Sequence, residues 1–199
     1  MDSIKQHYQN LFEKYGDSFK SAQWSDQSTQ YKRFEVLCEI ADLKNKRILD
    51  FGCGTGELAN YFKQKDIHVE YTGVDIVENM LEFASKKHPK HRFTTLDKIE
   101  NEVFDYILIS GVFNNKTKRN KEFYEEIIKK LSGMCSKGLA FNMLSKYVDY
   151  YDEHLFYVYP EDVLSYVKQI TPFVTLRNEY QLKENVVPFE FTTYLYFKD

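Results

Sequence analysis

Three glycines at alternate positions, Gly52, Gly54 and Gly56, follow the apolar run RILDF (47–51) and precede a stretch with Leu58, Ala59 and Phe62 at helical spacing. A strand, a tight turn and a helix are implied, with glycines letting the chain bend sharply and a ligand lie against the backbone. A loop of this kind points to a nucleotide-like ligand. The spacing is Gly-x-Gly-x-Gly rather than the Gly-x-Gly-x-x-Gly of dinucleotide folds, and Asp50 stands two residues before the first glycine. A carboxylate there repels a pyrophosphate and attracts an ammonium group. The expected ligand is therefore cationic at an amino acid end.

Further polar residues recur at the ends of later apolar runs. Asp75 closes YTGVD, where a carboxylate can accept both hydroxyls of a ribose. Asp97 follows the next run, placed to meet an adenine amino group or to cap a turn. Ser110 follows FDYILI, at the strand edge where ligands of open α/β sheets bind. Together these residues resemble the class I S-adenosylmethionine-dependent methyltransferases, over about residues 46–197 in element order. The resemblance implies that Gly52, Gly54 and Gly56 cradle the methionine end of S-adenosylmethionine, beside Asp50. It likewise implies that Asp75 holds the ribose, Asp97 the adenine, and Ser110 the same cofactor. Residues 1–45 look like a helical lid, from which Tyr15, Trp24 and Arg33 are expected over the cofactor, Arg33 on its carboxylate. The alternative is that Tyr15 and Trp24 pack the lid and Arg33 is a solvated charge.

For the acceptor, attention falls on SKYVDYYDEHLFYVYP (145–160), which follows the fifth strand. His154, neutral near pH 7, is the candidate base, and Tyr147, Tyr150 and Tyr157 the candidate wall. Asp149, Asp152 or no base at all are the alternatives, and a lone His in an aromatic loop is commonly a packed or surface residue. The basic run 116–121 reads as an exposed helix start, able to bind an anionic acceptor if it faces the pocket. The fourth strand ends ISGVFN, without the Asn/Asp-Pro-Pro-Tyr motif of enzymes acting on exocyclic amines, and no acidic metal-ligand set is visible. By elimination the expected reaction is O-methylation of a small molecule or glycan. Protein or N-methylation and a non-catalytic cofactor-binding module are the alternatives.

The elements that position these residues are short apolar runs alternating with helix-period segments, the pattern of an α/β domain. Strands are expected at 47–51, 68–75, 91–96, 104–110, 138–144, 173–182 and 186–197. The last run is apolar on both faces, so it belongs inside the sheet. Only a short link joins it to the run before, so that pair is antiparallel. The fold implied is a Rossmann-like, seven-stranded, mostly parallel sheet with an antiparallel last strand, helices on both faces and an N-terminal helical lid. One domain is expected over 1–199, the lid at 1–45 and the core at 46–199.

The formal net charge of −3 gives no global attraction to nucleic acid or anionic membranes. The three cysteines, Cys38, Cys53 and Cys135, are widely spaced and suggest neither a disulfide framework nor a zinc site. The opening residues lack the apolar stretch of a signal peptide, so a cytoplasmic location is the expectation.

Overall fold

The computed structural model describes residues 2–23, 26–184 and 186–197. The strands are β1 Arg47–Phe51, β2 Glu70–Val74, β3 Arg92–Thr94, β4 Phe104–Ile109, β5 Cys135–Ser145, β6 Tyr157–Val158, β7 Val174–Arg177 and β8 Glu190–Tyr196. The helices are α1 Asp2–Tyr15, α2 Gln27–Cys38, α3 Glu57–Gln64, α4 Glu78–Lys87, α5 Asn120–Ser132 and α6 Pro160–Val167. One sheet runs β3-β2-β1-β4-β5-β8-β7, parallel from β3 to β5, with β8 antiparallel to both β5 and β7. The seven expected strands are present, and the antiparallel β8 lies inside the sheet.

The two-residue β6, which extends the sheet beside the end of β5, was not expected. It falls in the segment read as an acceptor loop. Helix α6 begins at Pro160, since proline fits the first turn of a helix, where its missing N–H is no loss.

Period-2 alternation in the strands separates two cores. Leu49, Ile107, Leu139, Phe141 and Leu195 pack under α5 and α6 on one face. Ile48, Leu108, Ala140 and Tyr194 pack under α2 and α3 on the other. Successive residues of one strand thus serve opposite layers, as the pleat requires.

The lid is tied down at three places. Phe12 of α1 meets Phe83 of α4 edge-on, with centroids 5.7 Å apart. Lys87 of α4 bridges Asp17 and Glu57, each at 2.9 Å. Helix α2 starts at the Asp26 cap, whose carboxylate accepts from Thr29 N at 2.8 Å. Its Arg33, 5% exposed, donates from Nε to Glu190 Oε2 of β8 at 2.8 Å and from a terminal nitrogen to Thr29 O at 3.2 Å. Glu190, 1% exposed, also accepts from Asn142 Nδ2 at 2.8 Å and from Tyr180 Oη at 3.2 Å.

Removing one partner of such a pair strands the other charge in the interior. Glu190→Ala is accordingly expected to lower the unfolding free energy by about 3–5 kcal/mol, measured by urea titration. Glu190→Gln, which keeps a hydrogen-bonding side chain there, should lose less. A loss below about 1 kcal/mol in Glu190→Ala, the scale of a solvated surface pair, would contradict the buried assignment.

Candidate functional site

Strand order reverses between β1 and β4, and the loops after their carboxyl ends diverge there, leaving a crevice. A cavity of about 1370 Å³ occupies that edge of the sheet, walled by the glycine turn, the ends of β1, β2 and β4, and the lid. The turn is closed by Gly52 N and Cys53 N, which both donate to Val74 O, at 2.8 and 3.0 Å. Gly52 has φ +81°, and a Cβ there would lie 2.4 Å from Val112 Cγ2, so only glycine fits. Gly54 has φ +52°, and a Cβ there would meet only Met80 Sδ, at 4.0 Å; the space beside it is open. Gly56 opens α3.

Two carboxylates flank the turn. Asp50, 3% exposed, accepts from Tyr71 Oη at 2.6 Å. Burial pushes its carboxyl up to about 7; the Tyr71 hydrogen bond opposes the rise and the charge of Asp75 adds to it. Asp75 accepts from Gly54 N through Oδ2 and from Val77 N through Oδ1, both at 2.9 Å. Burial raises this carboxyl too, against the pull of those backbone donors. Asp97 lies at the cavity rim in a one-turn helix, exposed, and hydrogen bonding from Thr95 holds its carboxyl below the ordinary range. Ser110 lines the same cavity, and its Oγ is buried with no partner among the described residues.

The lid residues fall otherwise than expected. Tyr15 is 37% exposed, lies under Lys14 and lines neither of the two main cavities. Trp24 lies outside the described residues. Arg33 is neither solvated nor at the larger cavity; it is the buried partner of Glu190 and borders a second, smaller cavity. Helix α1 reaches the larger cavity through Ile4, Lys5 and, bordering both cavities, Tyr8. The Tyr8 hydroxyl accepts from Asn115 Nδ2 at 2.7 Å, and burial pushes its pKa up to about 12.

The smaller cavity, about 220 Å³, is bordered by α1, α2, the end of β5 and the turn after β4. Tyr8 and Gly111 line both cavities and so mark where they meet. Gly111 has φ +72° and donates its N–H to Asn142 Oδ1 at 2.7 Å. Through Asn142 and Glu190 this turn is therefore joined to Arg33 of the lid. Sequence reasoning missed Asn142 and Glu190; the visible signal was a carboxylate in the otherwise apolar run VVPFEF.

The four residues expected at the acceptor lie away from both cavities. His154 is 83% exposed beside Glu153, and Tyr147 and Tyr150 are 59% and 76% exposed. Tyr157 is half-buried, accepting from Asp152 N at 3.2 Å. None of the four lines either cavity; β6 pairs Tyr157 and Val158 with Leu144 and Ser145 and so lays the end of their segment along the sheet. The basic run does reach the larger cavity, through Lys116 to Arg119 on its wall, with Arg119 paired to Glu126.

Residues 49–134 match the methyltransferase domain family. The chain is 30% identical over 138 residues to the cyclopropane-fatty-acyl-phospholipid synthase of Escherichia coli K12, covering 62% of this chain and 36% of that protein. It is 31% identical over 97 residues to the demethylmenaquinone methyltransferase of Thermotoga maritima, covering 47% of this chain and 42% of that protein. The chain thus spans less than half the length of these two relatives. The fold is similar to that of the magnesium protoporphyrin IX methyltransferase of Synechocystis, solved with S-adenosylmethionine bound, with a TM-score of 0.67 at 15% identity over 98% of this chain and 97% of that one. A glycine turn of this spacing between the carboxylates of Asp50 and Asp75, on a sheet with this strand order, agrees with the methyltransferase domain matched over residues 49–134, and the fold is that of S-adenosylmethionine-dependent methyltransferases.

Proposed function

We propose that this chain binds S-adenosylmethionine in the larger cavity and transfers its methyl group to an oxygen of a small-molecule or glycan acceptor held in the smaller one. The observation that carries this reading is the meeting of the two cavities at Tyr8 and Gly111, with the glycine turn and the carboxylates of Asp50 and Asp75 on the larger side.

The residues present fit the cofactor. The open space beside Gly54 admits a ligand against the backbone, and Asp50 offers a carboxylate to an ammonium group. Each oxygen of Asp75 holds one backbone N–H and keeps lone-pair capacity for a ribose hydroxyl. The unpartnered Ser110 Oγ and the rim carboxylate of Asp97 suit its polar adenosine end. When bound, the cofactor supplies a methyl group made electrophilic by a cationic sulfur. What the protein adds is alignment, which can lower a barrier by roughly 7–11 kcal/mol. The acceptor rests on the residues of the smaller cavity rather than on His154, Tyr147, Tyr150 and Tyr157, which line neither cavity. Tyr8 stays protonated at neutral pH and can donate there.

Calorimetric titration with S-adenosylhomocysteine should show one binding site; folded protein that gives no heat would overturn the proposal. Asp75→Ala is expected to weaken that binding by more than about a hundredfold, the loss of two hydrogen bonds to a charged group. Because Asp75 also braces Gly54, circular dichroism should accompany the measurement. His154→Ala should leave the affinity within about twofold, since an exposed surface substitution has little to perturb.

The same titration carries a pH signature. In the free protein the Asp50 carboxyl is protonated below about pH 7. An ammonium partner favours the ionised form, so binding in acid must expel that proton. Affinity should be full above about pH 7 and fall as pH drops below it. Tyr71→Phe removes the hydrogen bond that holds this pKa down, so the fall should begin at higher pH. A flat profile from about pH 5.5 to about pH 8 would separate Asp50 from the ligand's charge.

A further inference from the structure

The smaller cavity holds polar groups and charges, yet among the described residues lining it none is Asp, Glu, His or Cys. Its charged side chains are Arg33 and Lys183. Arg33 is balanced by Glu190 behind it, at 2.8 Å. Lys183 enters no ion pair among the described residues, which leaves a net positive charge on this wall. Asn114 is 8% exposed, lines the cavity, and its Oδ1 has no hydrogen-bond partner among the described residues. A carboxamide presents an acceptor in one rotamer and two donors when turned half a revolution. Tyr8 has a lone pair engaged by Asn115 and its own proton left to donate.

An alcohol or phenol acceptor must lose a proton as its oxygen attacks, and a base within hydrogen-bonding reach normally takes it. A carboxylic acid has already lost its proton at neutral pH, its ordinary pKa being about 4. Resting on the methyl-transfer reading of the larger cavity, we infer that the acceptor is a compact carboxylic acid held by Lys183, Asn114 and Tyr8, and that the product is its methyl ester. One carboxylate oxygen forms the new bond to the methyl carbon as the carbon–sulfur bond breaks and its electron pair stays on sulfur. An anion and a cation become a neutral ester and a neutral thioether, and no proton moves. The cavity is smaller than the roughly 300–1,000 Å³ typical of drug-sized ligands, so it takes a small acid or the acid end of a longer molecule.

The test uses the full chain saturated with S-adenosylhomocysteine, titrated with benzoate and hexanoate and with the uncharged benzyl alcohol and hexanol. At least one acid should bind, with its matched alcohol at least about tenfold weaker. Lys183→Met should weaken the acid about tenfold, Lys183→Arg should retain it within about threefold, and both should leave S-adenosylhomocysteine affinity within about twofold. With labelled methyl donor, the product's label should be released as methanol by mild alkali, as an ester's is. Alcohols binding as tightly as acids, acids giving no heat while S-adenosylhomocysteine binds, or an alkali-stable product would overturn the inference alone. Absence of heat with S-adenosylhomocysteine itself would instead bring down the reading beneath it.

Discussion

A single carbonyl, that of Val74 at the tip of β2, accepts both Gly52 N and Cys53 N and so sets the bend of the glycine turn. The next residue, Asp75, holds Gly54 N and Val77 N with its two carboxylate oxygens. Two consecutive residues of one strand end therefore fix the turn after the neighbouring strand and the start of α4. The arrangement depends on the β1–β2 register, which pairs Phe51 with Val74; a slip of one residue would turn every side chain to the other layer. The turn packs so closely on Val112, after β4, that a Cβ at Gly52 has no room. Three strand ends thus define one crevice, and the fold's topology becomes the geometry of a binding site.

The lid is held by two unlike kinds of contact. Lys87 meets Asp17 and Glu57 at partly exposed positions, where water screens the attraction and the pair contributes little. Arg33 and Glu190 meet in the interior, where two unpaired charges would each be very unfavourable. Glu190 shares its oxygens with Asn142 and Tyr180, and Asn142 in turn holds Gly111 N. A network of this kind adds little net stability over an apolar core, but it requires all of its members to be in place at once. The position of α2 and the turn bordering both cavities are set together.

The sheet was legible because its signals are local. Period-2 runs such as RILDF and FDYILI carry their layer assignment in adjacent residues, and the short link before β8 leaves only an antiparallel solution. The cofactor side was legible for the same reason: Asp50, Gly52, Gly54 and Asp75 stand at fixed distances from strand ends. The smaller cavity was not, because it is assembled from α1, α2, β5 and the turn after β4, far apart in sequence. The tyrosines at 147–157 suggested a wall by their number alone, whereas β6 lays that segment along the sheet. Tyr8 and Tyr15 share one helical stripe, yet seven residues place Tyr15 about 10 Å farther along α1, away from the cavities. A stripe fixes the face of a helix and leaves open which turn of it meets the ligand.

Charge divides the two cavities in a way that bears on rate as well as on binding. In the larger cavity carboxylates outnumber cations, with Asp50 and Asp75 at the strand tips and Lys116, Lys118 and Arg119 on its wall; in the smaller one, the proposed acceptor site, the charged lining residues are cations. Carboxylates suit a sulfonium, and cations suit a carboxylate, so each cavity attracts the opposite partner toward the junction at Tyr8 and Gly111. When a cation and an anion combine into two neutral molecules, the transition state needs less solvation than the separated ions. Leu144, Leu155 and Phe189 line the smaller cavity, and such apolar walls take from the reactants part of the hydration that water would give them. A base would serve no purpose there, and an additional carboxylate would repel the acceptor. The burial of Glu190 behind Arg33 follows the same logic: its charge holds the lid without facing the cavity.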